Sequence, residues 1–306
     1  MQTLFVLTGP TAVGKTELCI RIAEHLHTPI INADSRQIYA EIPIGTASPT
    51  ADQLSRVRHF FVGTHHLNDY YSASMYENDV LGLINEDGEL GNYPFALLSG
   101  GSMMYIDAVC KGIDDIPTID ADTRHFINRR LEDEGLERLV EELRLLDPDY
   151  YNIVDRKNTR RVVHALEICY MTGKTYSSYR SNSCKKRPFT IVKIGLNRDR
   201  QELYDRINAR VLEMVKMGFV DEVLKVYPFK GQNSLNTVGY REMFDYVDGL
   251  YTLDEAIMHI QSATRRYCRK QLTWLKRDKE ITWFHPDDND RIFEFIDFHL
   301  NIERPT

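Results

Sequence analysis

The chain has 306 residues, of which 42% are hydrophobic and 27% charged, and a formal net charge of −7. This composition excludes disordered, collagen-like and coiled-coil chains, and the length suffices to bury a core without disulfides or metals. No stretch approaches the roughly 18 apolar residues that span a bilayer. The N-terminus shows no basic segment of a secretory signal. The 5 cysteines (Cys19, Cys110, Cys169, Cys184, Cys268) include no CxxC pair. They fit reduced thiols of a cytoplasmic protein better than a disulfide framework or a zinc site.

Thr3 to Thr8 reads as a buried strand that ends at Gly9, and Gly14 to His27 has helical spacing. Short strands are predicted at Pro29 to Ala33 and His59 to Val62, a helix at Ser72 to Glu89, and a strand at Pro94 to Ser99 followed by a helix through Cys110. Strand and helix alternating in this way predict a parallel sheet covered on both faces. Near Gly112 the texture changes. Asp122 to Glu134, Leu136 to Leu146 and Arg156 to Met171 are all helical in period, and no convincing strand appears before Thr190 to Leu196. Helices then follow at Arg200 to Met217, Val220 to Tyr227 and Leu253 to Lys276, with a late strand at Ile281 to Phe284. The expected architecture is an α/β P-loop core with a parallel sheet, formed by residues 1–112 and 190–306, interrupted by an all-helical domain at 113–189.

The charge is unevenly spread. Asp155 to Pro188 carries nine Lys/Arg against two acids, and Ile260 to Lys279 seven against one, which leaves about −20 on the rest. Salt screens charges beyond about 8 Å, so two local basic runs matter more to a phosphate backbone than the net sum. The bland alternative for each run is a solvated helix face.

Residues 9–16, Gly9-Pro10-Thr11-Ala12-Val13-Gly14-Lys15-Thr16, fit G-x-x-x-x-G-K-[ST], with a strand before and a helix after. This is the pattern of nucleotide-binding and ATP-binding loops. The loop's N–H groups and the helix N-terminus face one anion, Lys15 adds a point charge, and Thr16 offers a hydroxyl to Mg²⁺. The motif implies a bound diphosphate or longer. Asp34, at the end of the second strand, lies where open α/β sheets bind ligands. It is a Mg²⁺ ligand, a general base or a helix cap. Gly100-Gly101-Ser102 leaves room for close approach of a substrate. Adjacent His65 and His66 point to opposite sides of an extended segment, so they are not read as a metal pair.

These segments, in this order, resemble the tRNA dimethylallyltransferase (tRNA isopentenyltransferase) family. The match is carried by GPTAVGKT (9–16), DSRQIY (34–39), IGTA (44–47), HHL (65–67), GGSMMYI (100–106), RRVVHALE (160–167), LYDRINARVLEM (203–214), TVGYRE (237–242) and RRYCRKQLTWLK (265–276). The resemblance implies transfer of a dimethylallyl group from dimethylallyl diphosphate to the exocyclic amine of the adenine 3′ of the anticodon, with release of pyrophosphate. It implies Mg²⁺ as cofactor, the tRNA anticodon stem-loop as partner, and a monomer that is not attached to a membrane. Asp34, Thr11, Lys15 and Arg206 take catalytic roles in it. Gly9 to Thr16 and Arg210 hold the diphosphate, chiefly through N–H groups of 11–16. Thr16 and Asp34 are the metal ligands.

The implied RNA contacts are Asp34, Ser35, Arg36 and Gln37, then Ser102, Arg124, Arg160, Arg161, Val162, Val163 and His164. They continue with Asn236, Thr237, Val238, Gly239, Tyr240 and Arg241, and end with Arg269, Lys270, Gln271, Trp274 and Lys276. Tyr240, Tyr267 and Trp274 are candidates for stacking on bases. His164 stands for the family's usual Arg, Ser102 for Thr, Met103 for Gly, Ser48 for Lys and Val13 for a small residue. The rival reading from the core alone is a small-molecule P-loop kinase, which has no use for the basic helices.

Overall fold

A computed structural model describes residues 2–181 and 184–302. The chain divides into two compact units, one formed by residues 1–110 and 186–306 and the other by Lys111–Lys185.

The first unit is built on β1 (Thr3–Thr8), α1 (Lys15–Leu26), β2 (Ile30–Asn32), α2 (Ala51–Arg56), β3 (His59–Phe60), α3 (Ala73–Ile84), β4 (Phe95–Gly100) and α4 (Met103–Lys111). The second unit holds α5 (Ala121–Leu146), α6 (Pro148–Ile153), α7 (Thr159–Thr172) and α8 (Tyr176–Tyr179). The first unit resumes with β5 (Thr190–Leu196), α9 (Arg200–Lys216), α10 (Phe219–Val226), α11 (Tyr240–Val247), α12 (Leu253–Leu275), β6 (Ile281–Phe284) and α13 (Asn289–Ile302). The sheet order is β3-β2-β4-β1-β5-β6, and every pairing is parallel.

β1 is central and buried along its whole length. Its side chains alternate between faces, so Phe5 and Leu7 pack with α1, α9, α12 and α13, while Leu4 and Val6 pack with α3 and α4. A strand covered on both faces needs an unbroken apolar run, and this is why TLFVLT reads as it does. A third cluster joins Ile38, Ile42 and Leu67 to α9, α10, α11 and α12.

The helical unit begins and ends a few residues earlier than expected. Residues 186–189 belong to the sheet unit because Arg187 is buried there, donating to Val109 O, Ala108 O and the Glu77 carboxylate. One cation of the first basic run is therefore an internal ion pair and not a surface charge. Within the helical unit the two predicted helices follow one another along α5 and are separated by a kink at Gly135, where φ is 80°. Its core packs Ile127, Leu139 and Leu143 against Tyr150, Val162 and Leu166.

Candidate active site

The loop after β1 is shaped by close approach. A Cβ at Gly9 would lie 2.7 Å from Leu196 O. Ala12 (φ 64°) and Gly14 (φ 105°) both take the left-handed conformation, which turns successive N–H groups toward one side. Gly14 begins α1 and offers no side-chain cap. In α9, by contrast, Asp199 caps the Gln201 N–H. The first N–H groups of α1 are thus left for an anion, where the helix dipole is positive.

Cations surround the loop and bond its backbone. Lys15 Nζ donates to Gly9 O and Pro10 O, both at 2.8 Å. Arg206 Nε donates to Ala12 O at 2.8 Å and Arg198 Nε to Val13 O at 2.9 Å. Arg210 Nη1 lies 3.5 Å from Thr11 Oγ1. Burial, then the neighbouring Arg210, brings Lys15 down to about 8, with Asp34 opposing the shift. Burial also lowers Arg210, again against Asp34. The Asp34 carboxylate therefore shares its field with Lys15 and Arg210. Arg206 is exposed, so α9 presents Arg210, rather than Arg206, to Thr11 and Asp34. Arg198 was missed by the sequence reading. It is held by Asp287 at 2.6 Å and Glu202 at 2.5 Å. Only its place at the end of β5 marked it.

On the other side of the crevice, Asp34 Oδ1 accepts the Arg36 N–H at 2.9 Å. No α-helix starts there, which removes the helix-cap reading. Ser102 Oγ accepts the Ser35 N–H at 2.8 Å and donates to Ser35 Oγ at 3.0 Å. A Cβ at Gly100 would stand 2.2 Å from Ala33 O, so only glycine lets β4 end this close to β2. Arg36 is anchored on Asn233 O and Ser234 O, and Gln37 on Thr46 O and Ala47 O. Gln271 Oε1 accepts the Thr11 N–H at 2.9 Å, and its Nε2 donates to Gly101 O at 2.8 Å. The ends of β1, β2 and β4 thus meet in one crevice. The Thr11 N–H is already bonded, so the diphosphate cradle begins after it and not at residue 11.

The residues expected to contact RNA divide sharply. Arg269, Lys270, Lys276 and Arg241 are exposed. Arg269 and Arg200 donate to the Tyr204 hydroxyl at 2.9 and 3.0 Å. The Arg269 bond is the main reason this phenol ionises more readily than usual; desolvation opposes it, and the Arg200 bond adds to it. Asn236, Thr237 and Val238 are half-buried, while Gly239 is buried and starts α11 with φ 100°. Tyr240 is fully buried and donates to Glu222 at 2.5 Å. Glu222 also accepts the Ile44 and Gly45 N–H groups at 2.7 Å. Tyr240 is therefore a core hub and not a stacking platform. Gln271, 2% exposed, is likewise no surface contact. Trp274 is half-buried and donates to Asp107 at 2.7 Å. Tyr267 reaches Gly101 O at 3.5 Å from within the crevice wall.

In the helical unit, Arg160 and Arg161 are exposed. Val162 and Val163 are buried in its core, so their side chains are corrected from RNA contacts to packing. Arg124 and His164 both face Glu167, at 3.9 and 3.5 Å.

Among the described residues no three His, Cys, Asp or Glu converge as a metal cage. His66 pairs with Glu41 instead. Mg²⁺ needs no such cage, because it takes one or two protein oxygens and completes its shell from phosphate and water. The hard oxygen donors of Thr16 and Asp34 fit that pattern. No helix among the described residues is long and apolar enough to cross a membrane.

The IPP transferase family model matches residues 37–278. The tRNA dimethylallyltransferase 1 of Phocaeicola vulgatus is 61% identical over 96% of this chain and 98% of its own length. That of Bacteroides thetaiotaomicron is 59% identical over 97% and 96%. The crystal structure of the tRNA isopentenylpyrophosphate transferase of Bacillus halodurans is 34% identical, with a TM-score of 0.71 over 98% of this chain and 96% of that one. A eukaryotic dimethylallyltransferase acting on tRNA has a TM-score of 0.83 over 100% of this chain and 81% of that one; at 21% identity it supports the fold alone. A match of this extent in sequence, together with the shared parallel-sheet fold, means that the chain belongs to the IPP transferase family, the tRNA dimethylallyltransferases.

Proposed function

We propose that this chain moves a dimethylallyl group from dimethylallyl diphosphate to the exocyclic amine of the adenine 3′ of the anticodon in tRNA. The observation that carries this reading is the meeting of an uncapped phosphate loop with a carboxylate, Asp34, across one crevice. A kinase needs its acceptor in line with a phosphorus. Here the new bond forms between the adenine nitrogen and the allylic carbon. The carbon–oxygen bond breaks, and pyrophosphate leaves with the electron pair.

An adenine amine is a weak nucleophile because its lone pair is delocalised into the ring. Asp34 accepts its proton as the bond forms. Oδ1 is committed to the Arg36 N–H, which leaves Oδ2 for this task. Lys15, Arg210, the Thr11 hydroxyl and the N–H groups at the start of α1 stabilise charge that grows on the leaving oxygens. Lys15 must exchange its bonds to Gly9 O and Pro10 O for phosphate oxygens. Thr16 would hold Mg²⁺, which would supply further positive charge to the diphosphate; with Oδ1 bonded and Oδ2 taking the proton, Asp34 serves as the base and not as a metal ligand.

The base must leave its stack to reach Asp34. The exposed cations of α12 and α7 offer contacts for the surrounding RNA backbone. The protein would act as a monomer in the cytoplasm. Incubation with radiolabelled dimethylallyl diphosphate, Mg²⁺ and unmodified tRNA should place label in RNA and release pyrophosphate. ATP consumption driven by a small metabolite, with no label in RNA, would overturn the proposal.

A further inference from the structure

We propose that Gln271 is a positioning residue that holds the donor side of the crevice in register with the acceptor side. The inference rests on the prenyl-transfer reading and names how that site is kept aligned.

Gln271 lies on the inner face of α12 and is 2% exposed. A buried amide is tolerated only where its polar ends are bonded. Here the two ends serve two different strands. Oε1 accepts from Thr11, on the loop after β1, and Nε2 donates to Gly101, after β4. The partners fix the amide's orientation, because one is an N–H and the other a carbonyl. Gly101 makes room for the contact, since a Cβ there would stand 2.8 Å from Nε2.

Each end bears on one reactant. Thr11 presents its hydroxyl to Arg210 on the diphosphate side. Gly101 leads into Ser102, which holds Ser35 beside Asp34 on the acceptor side. One side chain therefore spans both halves of the reaction, between the exposed Arg269 and Lys270 and the crevice. A displacement at carbon depends steeply on the spacing of nucleophile and leaving group, so a small slip between the halves should lower turnover more than binding.

The test attacks the contact from both sides, with Gln271→Ala and Gly101→Ala. Each should lower kcat for prenyl transfer about 10- to 100-fold while the Kd for tRNA stays within about twofold. The double variant should be no more than about threefold worse than the poorer single one, because both break the same contact. Inorganic pyrophosphate with Mg²⁺, followed by calorimetry, should bind about fivefold more weakly to Gln271→Ala. Gln271→Glu keeps the acceptor for Thr11 but loses the donor to Gly101. Its added negative charge beside the loop should weaken pyrophosphate binding as well as turnover, so Gly101→Ala carries the test if Gln271→Ala fails to fold.

The inference is overturned if the single effects multiply in the double variant. It is also overturned if kcat, pyrophosphate affinity and tRNA affinity fall together with Tm. A parent protein that transfers no prenyl group would sink the functional reading instead, and the pyrophosphate measurements would still decide the role of Gln271.

Discussion

Lys15 and Arg206 at the phosphate loop and Arg130 in the helical unit are held in opposite ways. Around the loop, Lys15 and Arg206 donate to backbone carbonyls of the loop itself. In the helical unit, Arg130 is locked between Glu134 at 2.6 Å and Glu142 at 2.7 Å, while Arg160 and Arg161 stand exposed. A cation bonded to a carbonyl is oriented but keeps its net charge for an incoming anion. A cation paired with a carboxylate has largely spent it. Counting Lys and Arg along the chain cannot separate the two, and Arg187, buried against Glu77, shows the cost of trying.

The largest effect should come from the carboxylate that faces the loop. Asp34→Asn should lower kcat by about 10²- to 10⁴-fold with tRNA affinity nearly kept. Retention of more than a tenth of the activity would remove it as the base. Next, the two arginines of α9 should differ. Arg210→Ala should cost about 10²- to 10³-fold in kcat, and Arg206→Ala no more than about 10-fold, since it bonds the loop from its exposed side. Steady-state kinetics giving the reverse order would put Arg206 back at the centre.

The helical unit should respond in binding and not in chemistry. Arg160→Ala combined with Arg161→Ala should weaken tRNA binding about tenfold and flatten its salt dependence by one to two phosphate contacts, at unchanged saturating kcat. Loss of kcat at saturating tRNA would instead tie these residues to the reaction step. Tyr240→Phe sharpens the contrast from inside the core. It should cost about 1–3 kcal/mol of stability in a denaturant melt, because it leaves Glu222 short of a donor, and should leave tRNA affinity unchanged. The smallest effect is spectroscopic. The Arg269 and Arg200 bonds favour the Tyr204 phenolate, so the parent's alkaline absorbance rise should begin lower than that of Tyr204→Phe. Coincident titrations would show the phenol to be ordinary.

Much of this was legible from local pattern. The strand at Thr3–Thr8 and the strands at Thr190–Leu196 and Ile281–Phe284 were bounded to the residue, because short runs rich in apolar and β-branched residues mark strands whether central or at the edge. α13 was missed, although its Ile292 and Ile296 enter the main core. α11 was not predicted, and its first residues, Tyr240 and Arg241, were read only as implied RNA contacts. Its start depends on Gly239 and on Glu242 folding back to the Gly239 N–H at 2.8 Å, a closure visible only once the helix exists. The motif at 9–16 announced a phosphate cradle, but it could not say that Gln271, 260 residues away, had already claimed the Thr11 N–H.

The sequence by itself determined the order of the strands and of most helices, the loop that grips an anion, and the family to which those segments point. These depend on neighbours within a few residues, where apolar period and glycine spacing act directly. Only the tertiary structure decided which arginine of α9 reaches Thr11, which members of each motif face solvent, and which are buried in the core. Those outcomes depend on how distant segments pack, and adjacent residues of one motif fall on opposite faces of the same helix.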